Sequence, residues 1–171
     1  MYRYLGVNTH EGCVMNYISK RPELFDMVLL DYNVHQLDRE PIINKLHKFR
    51  IGVIAGTVLA QGHLVHGKIG SIKTTADVWY FARAILKSSG RILSRNSIEM
   101  RQTLSMLSEM TAAQAAFAYV LGNVKISSCV FGTTNLSNLH EIIDSSDLVL
   151  RESNKLLIQE TFNALKEKIS V

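Results

Sequence analysis

The chain has 171 residues, 47% of them hydrophobic and 20% charged, with a formal net charge of +4. That length suits one domain, residues 1–171, with a real core, and the composition excludes a disordered chain. The Lys and Arg residues are scattered, no stretch approaches roughly 20 apolar residues, and no basic start leads into an apolar run. The sequence therefore predicts no nucleic-acid surface, no membrane span and no secretory leader. Cys13 and Cys129 share no ligand or disulfide motif and read as two buried or half-buried thiols of a cytoplasmic protein.

YRYLGVNTH reads as a short strand ending at Gly6–His10. A helix is expected over Glu11–Lys20, with Val14, Tyr17 and Ile18 inward, and Pro22 stops it because proline lacks an amide hydrogen. FDMVLLD (Phe25–Asp31) is the next strand, followed by a loop over Tyr32–Asp38. Asp38 is a fitting N-cap for a helix with Pro41 in its first turn and Ile42, Ile43, Leu46 and Phe49 at helical spacing.

The stretch Gly52–Leu64, GVIAGTVLAQGHL, joins an apolar strand with both faces buried to a glycine-punctuated loop. That loop runs long, from Gln61 to Thr75. Thr75 then caps a helix with Val78, Phe81, Ala82, Ile85 and Leu86 inward, ended by Ser88-Ser89-Gly90, and Trp79 belongs to its core. Asn96 or Ser97 opens another helix with Met100, Leu104 and Leu107 inward. Thr111 starts a further one, with Ala113, Ala116, Phe117, Val120 and Leu121 inward and Gly122 at its end. A last strand, Ser128–Phe131, runs through Gly132–Asn135 into a helix over Ser137–Ile143, and Arg151–Ile169 forms a C-terminal helix. Strands alternating with helices give an α/β fold with about four parallel strands.

The order of these motifs resembles the C-terminal half of the aldo/keto reductase family, a (β/α)8 TIM barrel that reduces carbonyl groups with a nicotinamide cofactor. YRYLGVNTH is similar to the family's fifth strand, FDMVLLDYN to the sixth and GVIAGTVLAQGHL to the seventh. TAAQAAFAYVLGNVKISSCVFGTTNLSNLHEII is similar to the seventh helix, the eighth strand and the phosphate-contacting helix start. The resemblance implies a partial (β/α)8 barrel and an NAD(P)H-dependent carbonyl oxidoreductase. It assigns no catalytic residue here, because the family's Asp, Tyr, Lys and His lie on strands one to four, and so it implies a chain inactive by itself. The alternative is a non-catalytic remnant or pseudoenzyme with a structural or protein-interaction role.

By the same resemblance, Asn8 and Thr9 fall where the family bonds the nicotinamide carboxamide. Thr57, Leu59, Gln61 and Gly62 match the pyrophosphate cradle, while Gly132, Thr133, Thr134 and Asn138 match the adenosine-phosphate site, with Glu141 near it. Leu29 replaces a Gln, Gly56 an aromatic shelf and Val58 a Pro, and Asn138 lacks the basic residue that favours the extra phosphate. NADP(H) and NAD(H) therefore both remain as cofactors, with the nicotinamide contacts weakened or lost. Four strands leave two parallel edges and an uncovered face, so the expected partners are a second copy, a complementing N-terminal half-barrel, or the chain's own C-terminal helix as a plug. His63 and His66 sit three apart, but no Cys, Asp or Glu completes a metal site. Asp31, the best-placed lone carboxylate, reads most simply as a turn or capping residue.

Overall fold

The computed structural model describes residues 3–64, 88–107, 109–133 and 135–169. Four parallel strands, β1 (Gly6–Asn8), β2 (Met27–Asp31), β3 (Gly52–Gly56) and β4 (Ser128–Cys129), form one sheet in sequential order. Among the described residues six α-helices flank the strands: α1 (Gly12–Lys20), α2 (Glu40–Lys48), α3 (Ser88–Ser105), α4 (Ala112–Leu121), α5 (Leu136–Asp144) and α6 (Glu152–Ile169). The expected α/β architecture of parallel strands with flanking helices is the one observed.

Register explains which side chains meet. Val7, Val28 and Val53 are in register across three strands, as are Leu30, Ala55 and Cys129 on the same face. Val28, Leu30, Val53 and Ala55 are fully buried, in one cluster with Ile18 of α1, Ile43 and Leu46 of α2 and Phe117 of α4. The opposite face carries the row Asn8, Leu29, Ile54 and Ser128, with Met27 below it and Asp31 and Gly56 above. Asn8, Met27 and Ser128 are exposed and Leu29 and Ile54 half-buried, so burial of β3 on both faces does not hold. Among the described residues helices cover one face; the other is the side a closed barrel would turn inward.

Several boundaries differ from the sequence reading for identifiable reasons. Tyr17 and Phe49 are exposed rather than inward, because Met15 and Ile18 make the buried stripe of α1 and Phe49 lies beyond the last turn of α2. Asp38 sits in a single tight turn, Leu37–Arg39, and Arg39 occupies the N-cap. Ser88–Gly90 lies within α3 and does not end a helix, although Met100, Leu104 and Leu107 face inward as their spacing predicts. The helix placed on Thr75–Leu86 and Trp79 lies outside the described residues. Cys13 is exposed, contrary to expectation, while burial pushes the half-buried Cys129 thiol up to about 12.

The C-terminal helix does not plug the open face. α6 packs on α3, where the Thr103 and Thr161 hydroxyls meet at 3.0 Å and Lys168 Nζ pairs with Glu99 at 2.8 Å. Ile158 and Leu165 are its buried anchors; the side chain of Ile169 lies outside the described residues.

The end of α2 sets the entry into β3. Arg50 N–H donates to His47 O and Ile51 N–H to Leu46 O, with Ile51 and Leu46 both buried. That is the paired-bond helix stop in which the turning residue is left-handed, a place where glycine has no steric cost. Arg50 fills it at φ 61°. Replacing Arg50 with Gly should raise stability by about 1 kcal/mol, because the left-handed penalty on a side chain is removed. Urea denaturation of Arg50→Gly checks this; no gain or a loss would show that the Arg50 side chain carries a compensating contact.

Candidate functional site

The strands all end on one side, and the loops that leave them build a polar mouth. Its centre is Asn33, 4% exposed, just past β2. Asn33 Nδ2 donates to Thr57 O at 2.9 Å and to Gln36 Oε1 at 3.0 Å, while Oδ1 accepts from His35 N at 2.9 Å. One side chain thus ties the loop after β2 to the loop after β3.

What it holds is strained. Thr57, Ala60 and Gln61 have φ of 51°, 48° and 58°, and Gly62 follows at 91°. Left-handed backbone costs a β-branched residue such as Thr57 most, and strain of this kind persists only where surrounding bonds over-determine it. Here Thr57 O accepts from both Asn33 and Ala60 N (2.7 Å), and Leu59 O accepts from Gly62 N at 2.9 Å. Gly62 is the one residue of the run for which the conformation is free.

Beside the loop, Leu29 and Gly56 fit one another. A Cβ on Gly56 would stand 3.2 Å from Leu29 Cδ2 and 3.6 Å from Asp31 Oδ1. Gly56 is buried under these neighbours, and the leucine occupies space that a larger residue at 56 would need.

The remaining site residues fall around this mouth. Asn8 is exposed on the open face at the end of β1. Thr9 is buried, its N–H donating to Leu29 O at 3.0 Å and its Oγ1 accepting from Glu11 N at 3.1 Å. At β4, Phe131 packs edge-on against Phe117 at 5.4 Å and anchors the chain where Gly132 and Thr133 leave the sheet. Thr133 Oγ1 accepts from Asn135 N at 3.1 Å, and Asn135 Oδ1 caps α5 by accepting from Ser137 N at 2.9 Å. The Leu136 and Asn138 amides of that first turn have no intrahelical acceptor. Glu141, farther along α5, accepts from Thr111 Oγ1 at 2.6 Å and braces the capped start of α4. Thr134 lies outside the described residues, as does His66.

Two features of the mouth were not drawn from the sequence. Asp31 is no simple cap: its Oδ2 pairs with His10 Nδ1 at 2.8 Å, and Arg39 donates to Asp31 O at 2.6 Å. His35 Nε2 lies 3.0 Å from the buried Ser97 Oγ of α3. Burial, then the charge of nearby His63, lower His35 to about 4, and burial lowers His63 too. Tyr32 points the other way, into the helix layer, where its OH donates to Glu40 Oε1 at 2.9 Å. Burial is the main reason its phenol is held above the usual range, so Tyr32 is a neutral structural donor. Among the described residues no three His, Cys, Asp or Glu side chains gather as a metal site.

With the geometry in place, solved structures provide the comparison. The fold superposes on the aldo-keto reductase AKR11C1 from Bacillus halodurans, in holo and apo forms, with a TM-score of 0.69 at 14% identity. This chain has the fold of half an aldo-keto reductase barrel. The match covers 93% of it and 50% of AKR11C1. A thermostable aldo-keto reductase, Tm1743, crystallised with the inhibitor epalrestat, matches at a TM-score of 0.62 and 16% identity, over 93% of this chain and 48% of its own. No family model and no curated protein matches the sequence. Among the described residues no helix is long and apolar enough to cross a membrane.

Two measurements test the mouth. Asn33→Ala should cost about 1–3 kcal/mol, since it leaves His35 N without its acceptor and removes one of the two bonds to Thr57 O, and a loss within about 0.5 kcal/mol of zero would refute the clamp. His35, neutral in the fold near pH 5 and protonated in the unfolded chain, makes stability fall as pH drops from about 6.5 to about 4. The fall should be about 3 kcal/mol, and the profile should flatten in His35→Gln.

Proposed function

We propose that this chain supplies the dinucleotide-binding part of an NAD(P)H-dependent carbonyl oxidoreductase site. The observation that carries the reading is the mouth itself: a clamped left-handed loop beside a helix N-terminus, at the strand ends of an aldo-keto-reductase-like half barrel. Its function follows from the fold by analogy and from the site by chemistry.

The phosphate end fits a dinucleotide well. The amides of the first turn of α5 and the positive end of its dipole suit a phosphate, with Gly132, Thr133 and Asn138 around it. The loop bearing Thr57, Leu59, Gln61 and Gly62 would take the pyrophosphate against its backbone. Glu141 reaches the adenosine side only by leaving Thr111. At the nicotinamide end Asn8 and Thr9 would bond the carboxamide, Thr9 by donating the hydroxyl proton its own turn does not use. The Leu29–Gly56 pair offers no aromatic shelf there, and stacking on such a shelf is worth roughly 0.5–1.5 kcal/mol beyond burial. A bound nicotinamide would supply hydride; the residues of this chain bind and orient it.

Isothermal titration of the full chain tests this. ADP and NADPH should bind within about tenfold of one another, because the phosphates and adenosine carry the affinity. No heat with either nucleotide at millimolar protein would sink the proposal. The double variant Leu29→Gln/Gly56→Tyr should tighten NADPH by about tenfold and leave ADP unchanged. Gly56→Tyr alone should not, because Leu29 fills the space the ring needs.

A second reading is favoured by that same Leu29–Gly56 fit: a non-catalytic protein with an interaction role. In both readings the open face of Met27, Leu29 and Ile54, with the parallel edges β1 and β4, would be closed by a complementing half-barrel or a second copy. A catalytic pairing would bring the hydride-transfer chemistry with it; a purely structural one would not.

A further inference from the structure

The strongest unassigned group at the mouth is His10 with its partner. Asn8 and Leu29 are in register, so two residues farther along the parallel strands His10 and Asp31 arrive side by side. His10 Nδ1 stands 2.8 Å from Asp31 Oδ2. Asp31 lies on the open face of the sheet, its Oδ1 over Gly56, which places the pair beside the nicotinamide end of the proposed site.

The arrangement is braced from behind. Arg39 Nη1 donates to Asp31 O at 2.6 Å and Nη2 to His10 O at 3.5 Å, so one guanidinium holds the backbone of both residues. Asp31 is 19% exposed and His10 55%, an inner carboxylate and an outer imidazole. A pair of freely moving surface side chains would lack both the brace and this gradient. With Nδ1 engaged, Nε2 has no hydrogen-bond partner among the described residues.

We propose that His10 and Asp31 form an acid–base dyad at the mouth of the sheet, with Nε2 of His10 exchanging a proton with the oxygen of a bound carbonyl or alcohol. Asp31 is the positioning residue: its carboxylate accepts from Nδ1–H, fixes the tautomer and leaves the Nε2 lone pair toward the ligand. Arg39 positions both through the backbone. For a ketone, Nε2–H of the imidazolium gives its proton to the carbonyl oxygen as hydride reaches the carbonyl carbon. The C=O π bond breaks, one C–H and one O–H bond form, and the product is the alcohol. His10 is left neutral with Nδ1–H still on Asp31, and solvent restores the proton at its exposed edge. The reverse direction takes the alcohol O–H proton onto Nε2.

The hydride source in this step is the reduced nicotinamide of the proposed function, so catalysis by the dyad rests on that reading. The dyad itself is testable without it. In the 15N-labelled full chain at alkaline pH, His10 should be the Nδ1–H tautomer, and Asp31→Ala should return it to the Nε2–H tautomer favoured by free imidazole. Under acid conditions that form the imidazolium, whose Nε2–H can donate to a ketone oxygen, saturating 4-nitroacetophenone should move the His10 Nε2 resonance in the wild-type chain and not in Asp31→Ala. An Nε2–H tautomer in the wild-type chain, or an Nε2 resonance that the ketone leaves unmoved, overturns the dyad.

If NADPH binds and reduces the ketone, with a complementing half-barrel where one is needed, His10→Gln should slow that reduction on the order of 10²-fold with unchanged NADPH affinity. An unaltered rate in His10→Gln overturns the catalytic role. Should NADPH not bind at all, the nucleotide reading fails, while the tautomer and the ketone shift still decide the dyad. Both substituted side chains are at the surface end of the strands and Arg39 bonds only their backbone, so the fold should survive; the amide spectrum checks it.

Discussion

A single buried amide holds the mouth of this fold in shape. Asn33 is linked to Thr57, 24 residues away, and to His35 and Gln36 in its own loop. Without it the carbonyl of a left-handed, β-branched residue would be buried with one acceptor bond fewer, and the loop over Thr57–Gly62 would have little reason to stay strained. The strain is local and the restraint is not: β2 and β3 must be paired in register before Asn33 can reach Thr57. Sheet pairing, loop conformation and site geometry are therefore one cooperative unit.

The sheet supplies the platform and also its asymmetry. Alternation along β2 sends Val28, Leu30 and Tyr32 into the helix layer and Met27, Leu29 and Asp31 to the open face. The buried set makes the core, and the open set makes the ligand-facing surface. This explains why Tyr32, the aromatic nearest the mouth in sequence, takes no part in it. It also explains how Leu29 and Gly56 come to be coupled, since residues on one face of neighbouring strands share space and a change in one alters what the other can be.

The four strands and most buried stripes were legible in the sequence because burial imposes a period on it. Met100, Leu104 and Leu107 show the inward face of α3 whichever residue begins the helix. The place of Ser88-Ser89-Gly90 was not legible: it has the composition of a stop, yet it lies within the described span of α3. The quoted strand motifs resemble an aldo/keto reductase at positions where backbone shape is shared, and the fold agrees. Asn33 as a clamp was out of reach, because its partners are a distant carbonyl and a loop amide that carry no signature of their own. Thr57 gives no hint of positive φ, as a glycine would have done. The His10–Asp31 pair could have been found by counting, since two parallel strands in register bring equivalent positions together at their ends.

Amide chemical-shift mapping of the full chain with NADPH decides whether the clamped loop and the start of α5 together form a dinucleotide mouth. Shifts should concentrate at Thr57–Gly62 and Gly132–Asn138, be reduced at both segments in Asn33→Ala, and leave the α3–α6 layer quiet. Shifts centred on α3 and α6, or none in the two loops at saturating nucleotide, would contradict it.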